Sequence, residues 1–273
     1  LNDGLGGNIT RGTVVYDNQA AGQRIYNADS TDGALSDGTG YFDLVIDNNG
    51  QTATFKADPN DSLLVLGDLT ITNGNLILLD DHYLTLTGNF KMDAGSFVPG
   101  SNVSHTVSGN WTESVGTTFE PTAGRFTFNA VGVNKTITTD AAGGNKFFDL
   151  YINSPNTLIA GSILDIDGDF ALTSGTFNPG NFNHTVAGNW DDDAGTFTAG
   201  TGTGKITFDG ATSANIESGP SNNFHHFEIN TTSDKTVITN GLDIDGDFTI
   251  IQGTFNPCLL YTSPSPRAKR QSR

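Results

Sequence analysis

Apolar and polar residues alternate with period two over short runs, and each run is broken by glycine beside Asp or Asn. Leu84 and Leu86 alternate with Thr85 and Thr87, Gly88-Asn89 interrupts, and Phe90 and Met92 resume the pattern. That predicts a strand, a corner and a second strand. Asp93-Ala94-Gly95 then makes another corner, Ser96-Phe97-Val98 a third strand, and Pro99-Gly100-Ser101-Asn102 a return to His105. No long apolar pattern of helical period appears in the chain.

The first half of this pattern recurs. Written as [Leu/His]-x-[Val/Ile/Leu]-x-Gly-[Asp/Asn]-apolar, it starts at Leu63, Leu84, His105, Leu164, His184 and Leu242. Each copy carries a second glycine eleven residues after its start: Gly74, Gly95, Gly116, Gly175, Gly195 and Gly253. The starts lie 21, 21, 59, 20 and 58 residues apart, so one turn takes about 20 residues and the long steps read as three turns. A repeat this short cannot bury its own apolar face and must stack on its neighbours. The expected fold is therefore all-β, a parallel β-helix of about twelve coils of about 20 residues, with residues 1–257 as one solenoid.

A longer period lies over the short one. Gly124-Arg125-Phe126-Thr127-Phe128-Asn129 returns 80 positions later as Gly204-Lys205-Ile206-Thr207-Phe208-Asp209. Tyr41-Phe42-Asp43-Leu44-Val45-Ile46 returns as Phe147-Phe148-Asp149-Leu150-Tyr151-Ile152 and as Phe224-His225-His226-Phe227-Glu228-Ile229. The larger unit is thus four coils. Tandem antiparallel sandwiches also have units near this size, but their strands have no reason to share a glycine phase. Two stretches stand outside the pattern: the polar segment from Ala20 to Gly40, expected to be a loop pushed out of the wall, and residues 258–273.

Charge narrows the partners. The chain has a formal charge of -17 and a sequence pI near 4.3, which opposes nucleic acid and anionic membrane surfaces. No apolar run approaches the length of a membrane span, so membrane insertion is not expected. An acidic surface rich in Asn, Thr and Gly suits an extracellular or cell-surface protein. The single cysteine, Cys258, lies in Cys258-Leu259-Leu260-Tyr261-Thr262-Ser263-Pro264-Ser265-Pro266-Arg267, where the repeat stops. That decapeptide resembles a translated sequencing-adapter remnant, which would make 258–273 a non-native or disordered tail. Without the tail there is no cysteine, and so neither a disulfide staple nor a cysteine-metal site.

Candidate chemistry is sparse. Asp165 and Asp167, with their copies Asp243 and Asp245, are weak calcium candidates, and Asp191-Asp192-Asp193 is a comparable acidic cluster. The spacing departs from an EF-hand loop, since Gly168 falls fourth and Phe170 follows. On a strand, Asp165 and Asp167 point outward together, so a solvated face is the plainer expectation. His105 and His184 replace Leu just after a turn and read as wall residues. His225 and His226, on one strand, should face opposite ways. Trp111 and Trp190 replace Phe and read as core aromatics. No other cofactor, no nucleophile with a base and no phosphate loop stands out, so no catalytic residue is assigned and an enzyme is not expected.

Gly195 to Gly210 and Leu164 to Phe170 resemble the strings of long, secreted bacterial β-helical repeat proteins, the stalks of surface adhesins and filamentous-haemagglutinin-like exoproteins. The resemblance covers nearly all of residues 12–257. It implies a right-handed β-helix serving as a rigid stalk or adhesive fibre. Its implied partners are flanking coils of the same longer chain, surface glycans and other cell-surface polymers. The alternative class is a polysaccharide-binding or polysaccharide-degrading β-helix, as in pectate-lyase-like proteins. Their sites are singular clefts, whereas the charged residues here recur with the coils. A flat ice-binding face would need Thr-x-Thr on every coil, as at Thr85 and Thr87, and Asp165 and Asp167 take the matching motif positions.

Overall fold

A computed structural model describes residues 12–17, 23–25, 40–55, 62–101, 103–197, 199, 203–238 and 242–257. It is a β-solenoid of about nine turns of about 21 residues, and among the described residues one short 3-10 segment, Ala141–Gly143, is the helical content. Neighbouring strands pair in parallel from Thr13–Tyr16 on Asp43–Ile46 to His226–Val237 on Phe248–Asn256. Parallel pairing of this kind excludes the sandwich alternative. There are fewer turns than the twelve expected because several turns are long: Thr13 lies opposite Asp43, 30 positions on, and Trp190 opposite Ile216, 26 positions on.

Each turn lays one short strand on each of three walls. On the first wall a continuous inward column runs Leu63, Leu84, His105, Phe126, Leu150, Phe170, Trp190, Ile216, Val237. Leu44, Leu69, Phe90, Trp111 and Ile137 begin the column of the second wall. Phe147, Ile166, Val186, Phe208, Ile229 and Ile250 form much of the third. All but Ile250 are buried, and their strand neighbours face out, as period-two alternation requires. Aromatic rings stack turn on turn along the core, Phe90 on Trp111 with centroids 3.8 Å apart and Phe170 on Trp190 at 4.2 Å. Burial of such a ring is worth roughly 2–3 kcal/mol.

The sequence motif and the stack do not keep step. From His105 the first-wall column passes through Phe126 and Leu150 to Phe170, so three turns take 65 residues. The motif returns after 59, at Leu164, one wall short of a full turn. Leu63, Leu84 and His105 therefore sit on the first wall, Leu164 and His184 on the third, and Leu242 on the second. The 80-residue unit obeys the same rule: Arg125–Phe128 lies on the first wall and Lys205–Phe208 on the third. Each unit is rotated by about a third of a turn on the last.

The Gly-[Asp/Asn] corners explain themselves in the stack. A Cβ on Gly88 would lie 2.2 Å from the carbonyl oxygen of Gly67, and one on Gly109 2.0 Å from that of Gly88. Only glycine lets the backbones approach this closely. The following residue bridges turns: Asp68 Oδ1 accepts from the backbone and side-chain N–H of Asn89, and Asn89 Oδ1 accepts from both of Asn110. Asp149, Asp169, Asn189 and Asn215 repeat the ladder in the next unit.

Part of the segment expected to be a loop belongs to the wall. Gln23–Ile25 is a strand paired with Ala53–Phe55, and Ile25 is buried. The Ile25 side chain supplies the burial that pulls this piece inward, against its polar surroundings in sequence. The rest of the Ala20 to Gly40 stretch, Gly40 apart, and the 258–273 tail lie outside the described residues.

Candidate functional site

The four candidate calcium ligands are held apart. Asp165 and Asp167 lie on the third wall, where Asp165 Oδ1 accepts from the Thr185 hydroxyl at 2.5 Å and Asp167 pairs with Lys146 at 2.6 Å. Asp243 and Asp245 lie on the second wall, and Asp245 accepts from the Asn223 side chain. Calcium takes about six to eight oxygens. These carboxylates do not converge on one cage, and among the described residues no group of three or more His, Cys, Asp or Glu is placed to hold a metal ion.

The Asp191-Asp192-Asp193 cluster is split. Asp192 is buried, and its Oδ2 accepts from Trp190 Nε1 at 2.9 Å. Its Oδ1 accepts from Gly219 N at 2.8 Å and from Asn222 Nδ2 at 3.0 Å, while Asn222 Oδ1 accepts from Phe197 N. Trp111, Glu113 and Asn145 repeat this network one unit earlier and one wall round, with Trp111 Nε1 donating to Glu113 at 2.6 Å. Burial pushes the carboxyls of Glu113 and Asp192 above their ordinary range, against the hydrogen bonds that favour the charged form. The tryptophans are thus core residues, and the carboxylates close the corners beside them.

His105, His184 and His226 take two structural roles. His105 and His184 are buried and bond the preceding turn through Nδ1, which accepts from Leu84 N and Leu164 N, each at 3.0 Å. Burial lowers both to a pKa of about 4, although a carbonyl partner at Nε2 works the other way. His226 stands where Asp43 and Asp149 stand in the earlier units, and its Nδ1 accepts from Asp247 N at 2.8 Å as those carboxylates accept from Asp68 N and Asp169 N. His225 and His226 do not face opposite ways: the chain bends at His225 before the strand His226–Val237, and the ring centroids are 4.4 Å apart.

One outward column differs from the rest of the surface. On the first wall, Thr85, Thr106, Thr127, Tyr151, Ala171, Asp191 and Glu217 are register partners in successive turns. The small Ala171 leaves a groove of about 220 Å³, lined by Tyr151, Asp169, Asp191, Asn215, Glu217 and Ile238 among others. Arg125 lies over the Tyr151 ring with Cζ 4.6 Å from its centroid and fixes one end. Burial, then the charges of Asp191 and Asp193, raise Glu217 above its ordinary range. An aromatic wall beside hydrogen-bond acceptors can hold a hydroxyl-rich ligand, with ring contact for C–H faces and carboxylates for hydroxyl protons.

Sequence reasoning passed over Tyr151, Asp191 and Glu217 as a set because they belong to different motif positions. They share a wall through the rotation between units. The signal was present in the long steps of 59 and 58 residues, each short of three 21-residue turns. Among the described residues no helix is long and apolar enough to cross a membrane. Comparison with protein-family models, curated proteins and solved structures yields no match to this chain.

Proposed function

We propose that the chain is a structural, adhesive repeat region of a secreted or cell-surface protein, a rigid rod without catalytic activity of its own. The observation that carries this reading is the unbroken column from Leu63 to Val237, with Asp and Asn ladders bonding turn to turn along one corner of each unit. Such a stack resists bending and stretching because each turn shares hydrogen bonds and core with two others. The rotation of successive units supports the same reading, since it spreads the same outward residues around the rod and favours weak contacts from many directions. The acidic surface favours partners that are neutral or basic, and disfavours nucleic acid and anionic membrane. Beads coated with the protein should adhere to cell-surface polymers with an avidity that rises steeply with coating density. Binding that saturates as one tight site per chain would contradict the reading.

The first-wall groove favours a second reading, a polysaccharide-binding protein. Tyr151 beside Asp191 and Glu217 is the specific support. Titration with neutral oligosaccharides, followed in the wild type and in Tyr151→Ala, separates the two readings: a single site lost on substitution favours the groove. Release of reducing ends or unsaturated products from any polysaccharide would turn this reading into an enzyme.

A further inference from the structure

The last described turn has an open core. Phe248 is 43% exposed and Ile250 45%, whereas their partners one turn earlier, Phe227 and Ile229, are fully buried. The strand Phe248–Asn256 pairs with His226–Val237 on one side, and among the described residues nothing pairs with its other side. In the preceding unit the matching strand, Phe170–Asn178, is covered: Trp190 stacks on Phe170, and Thr196 and Phe197 lie opposite Thr176 and Phe177.

We propose that this face is an interface for one further turn of the same repeat, of the type His-Thr-Val-x-Gly-Asn-Trp found at His184 to Trp190. Three features define the occupant. The segment Phe248-Thr249-Ile250-Ile251-Gln252-Gly253-Thr254-Phe255-Asn256-Pro257 aligns without a gap with Phe170-Ala171-Leu172-Thr173-Ser174-Gly175-Thr176-Phe177-Asn178-Pro179 and is identical at six of the ten positions. In that earlier copy the next turn supplies His184, which joins Leu164 N at 3.0 Å and Pro179 O at 2.8 Å. The corresponding groups here are Leu242 N and Pro257 O, so the incoming histidine belongs on the second wall beside Leu242. An aromatic residue six positions after it falls over Phe248, as Trp190 falls over Phe170. The partner thus continues an interface already made many times in the molecule, and it holds whatever the rod's surface binds.

The test replaces residues 258–273 with a copy of Gly180–Phe197 and compares amide exchange with the full 273-residue chain and with a chain ending at Pro257. The expected result is at least about ten-fold slower exchange for Phe248–Asn256 in the grafted chain alone, with a midpoint of thermal unfolding several degrees higher. The same graft carrying alanine at the position copied from His184 should lose much of that protection. A second measurement does not depend on those amides: Ile250→Ser should cost stability in the grafted chain and little in the ungrafted one. Unchanged exchange with equal Ile250→Ser effects in both chains overturns the proposal. Full protection of Phe248–Asn256 in the full 273-residue chain overturns it as well, since its own residues would then occupy the face.

Discussion

His184 accepts the backbone N–H of Leu164 at Nδ1, 3.0 Å away, and because its Nε2 faces the Pro179 carbonyl, the proton of the neutral ring lies on Nε2. A buried imidazole so bound acts as a neutral bridge between two turns and stands where other copies carry leucine. Protonation would place a charge in the core and remove the acceptor for Leu164 N.

Acid should therefore loosen the stack. The unfolded histidine titrates near 6.5 and the folded one near 4, so the unfolded state alone takes up protons between these values. Stability attributable to His105 and His184 is intact above about pH 6.5, falls as pH drops, and levels off below about 4. The slope is about 1.4 kcal/mol per pH unit for each. Glu113 and Asp192, raised by burial, act in the opposite sense because acid relieves their buried charge. The His184→Leu variant isolates one histidine. It should be less stable by about 1–3 kcal/mol at pH 7.5 through the lost partner of Leu164 N, with the deficit shrinking at pH 4.5. Urea midpoints that stay parallel across this range would count against the bridge.

Within the acidic triplet, stability should depend on the middle residue. Asp192→Ala removes the acceptor of Trp190 Nε1, Gly219 N and Asn222 Nδ2 together, at a cost of about 3–5 kcal/mol. Asp191→Ala, on the outer face, should change stability by no more than about 0.5 kcal/mol. Urea unfolding followed by tryptophan fluorescence measures both, and equal effects would refute the buried network.

The corner glycines should divide by what surrounds them. Gly109→Ala places a Cβ 2.0 Å from a backbone oxygen that cannot swing away, and should cost more than about 3 kcal/mol. Gly116→Ala has open space at φ 85° and pays only the left-handed backbone, roughly 1–2 kcal/mol. Thermal unfolding of the two variants orders them, and the reverse order would contradict the turn-to-turn contact.

Calcium removal should leave the fold unchanged. Asp165 and Asp167 are engaged by Thr185 and Lys146, so chelator should not shift the unfolding midpoint. A rise of several degrees on adding calcium would place an ion among carboxylates that the structure holds apart.

Much of the fold was legible from short-range pattern. The alternation around Leu84 and Thr85 set the strands, and Gly88-Asn89 set a corner, because both are dictated by the turn's own residues. The stacking phase was not legible in the same way. It depends on how many residues each corner absorbs, and the step from Phe126 to Leu150 takes 24 where that from His105 to Phe126 takes 21. A motif repeat records likeness of segments, while the column records geometry, so Leu164 resembles Leu84 yet lies on another wall. The candidate groove was hidden for the same reason: Tyr151 and Glu217 become neighbours of one surface only once the stack is known. His226 in the place of Asp149 was hidden by chemistry, since an imidazole nitrogen can accept the same N–H as a carboxylate.

The rotation of one unit on the next rests on the register between Phe126 and Leu150, and a disulfide measures it directly. With Cys258→Ser removing the one cysteine of the chain, Thr127→Cys/Tyr151→Cys joins register partners on adjacent parallel strands, about 4.8 Å apart and within disulfide reach. Mild oxidation should close this pair nearly completely and leave Thr127→Cys/Phe148→Cys, displaced along the wall, largely reduced. Efficient closure of the second pair with little of the first would mean that motif copies stack in straight columns, and the rotated solenoid would be wrong.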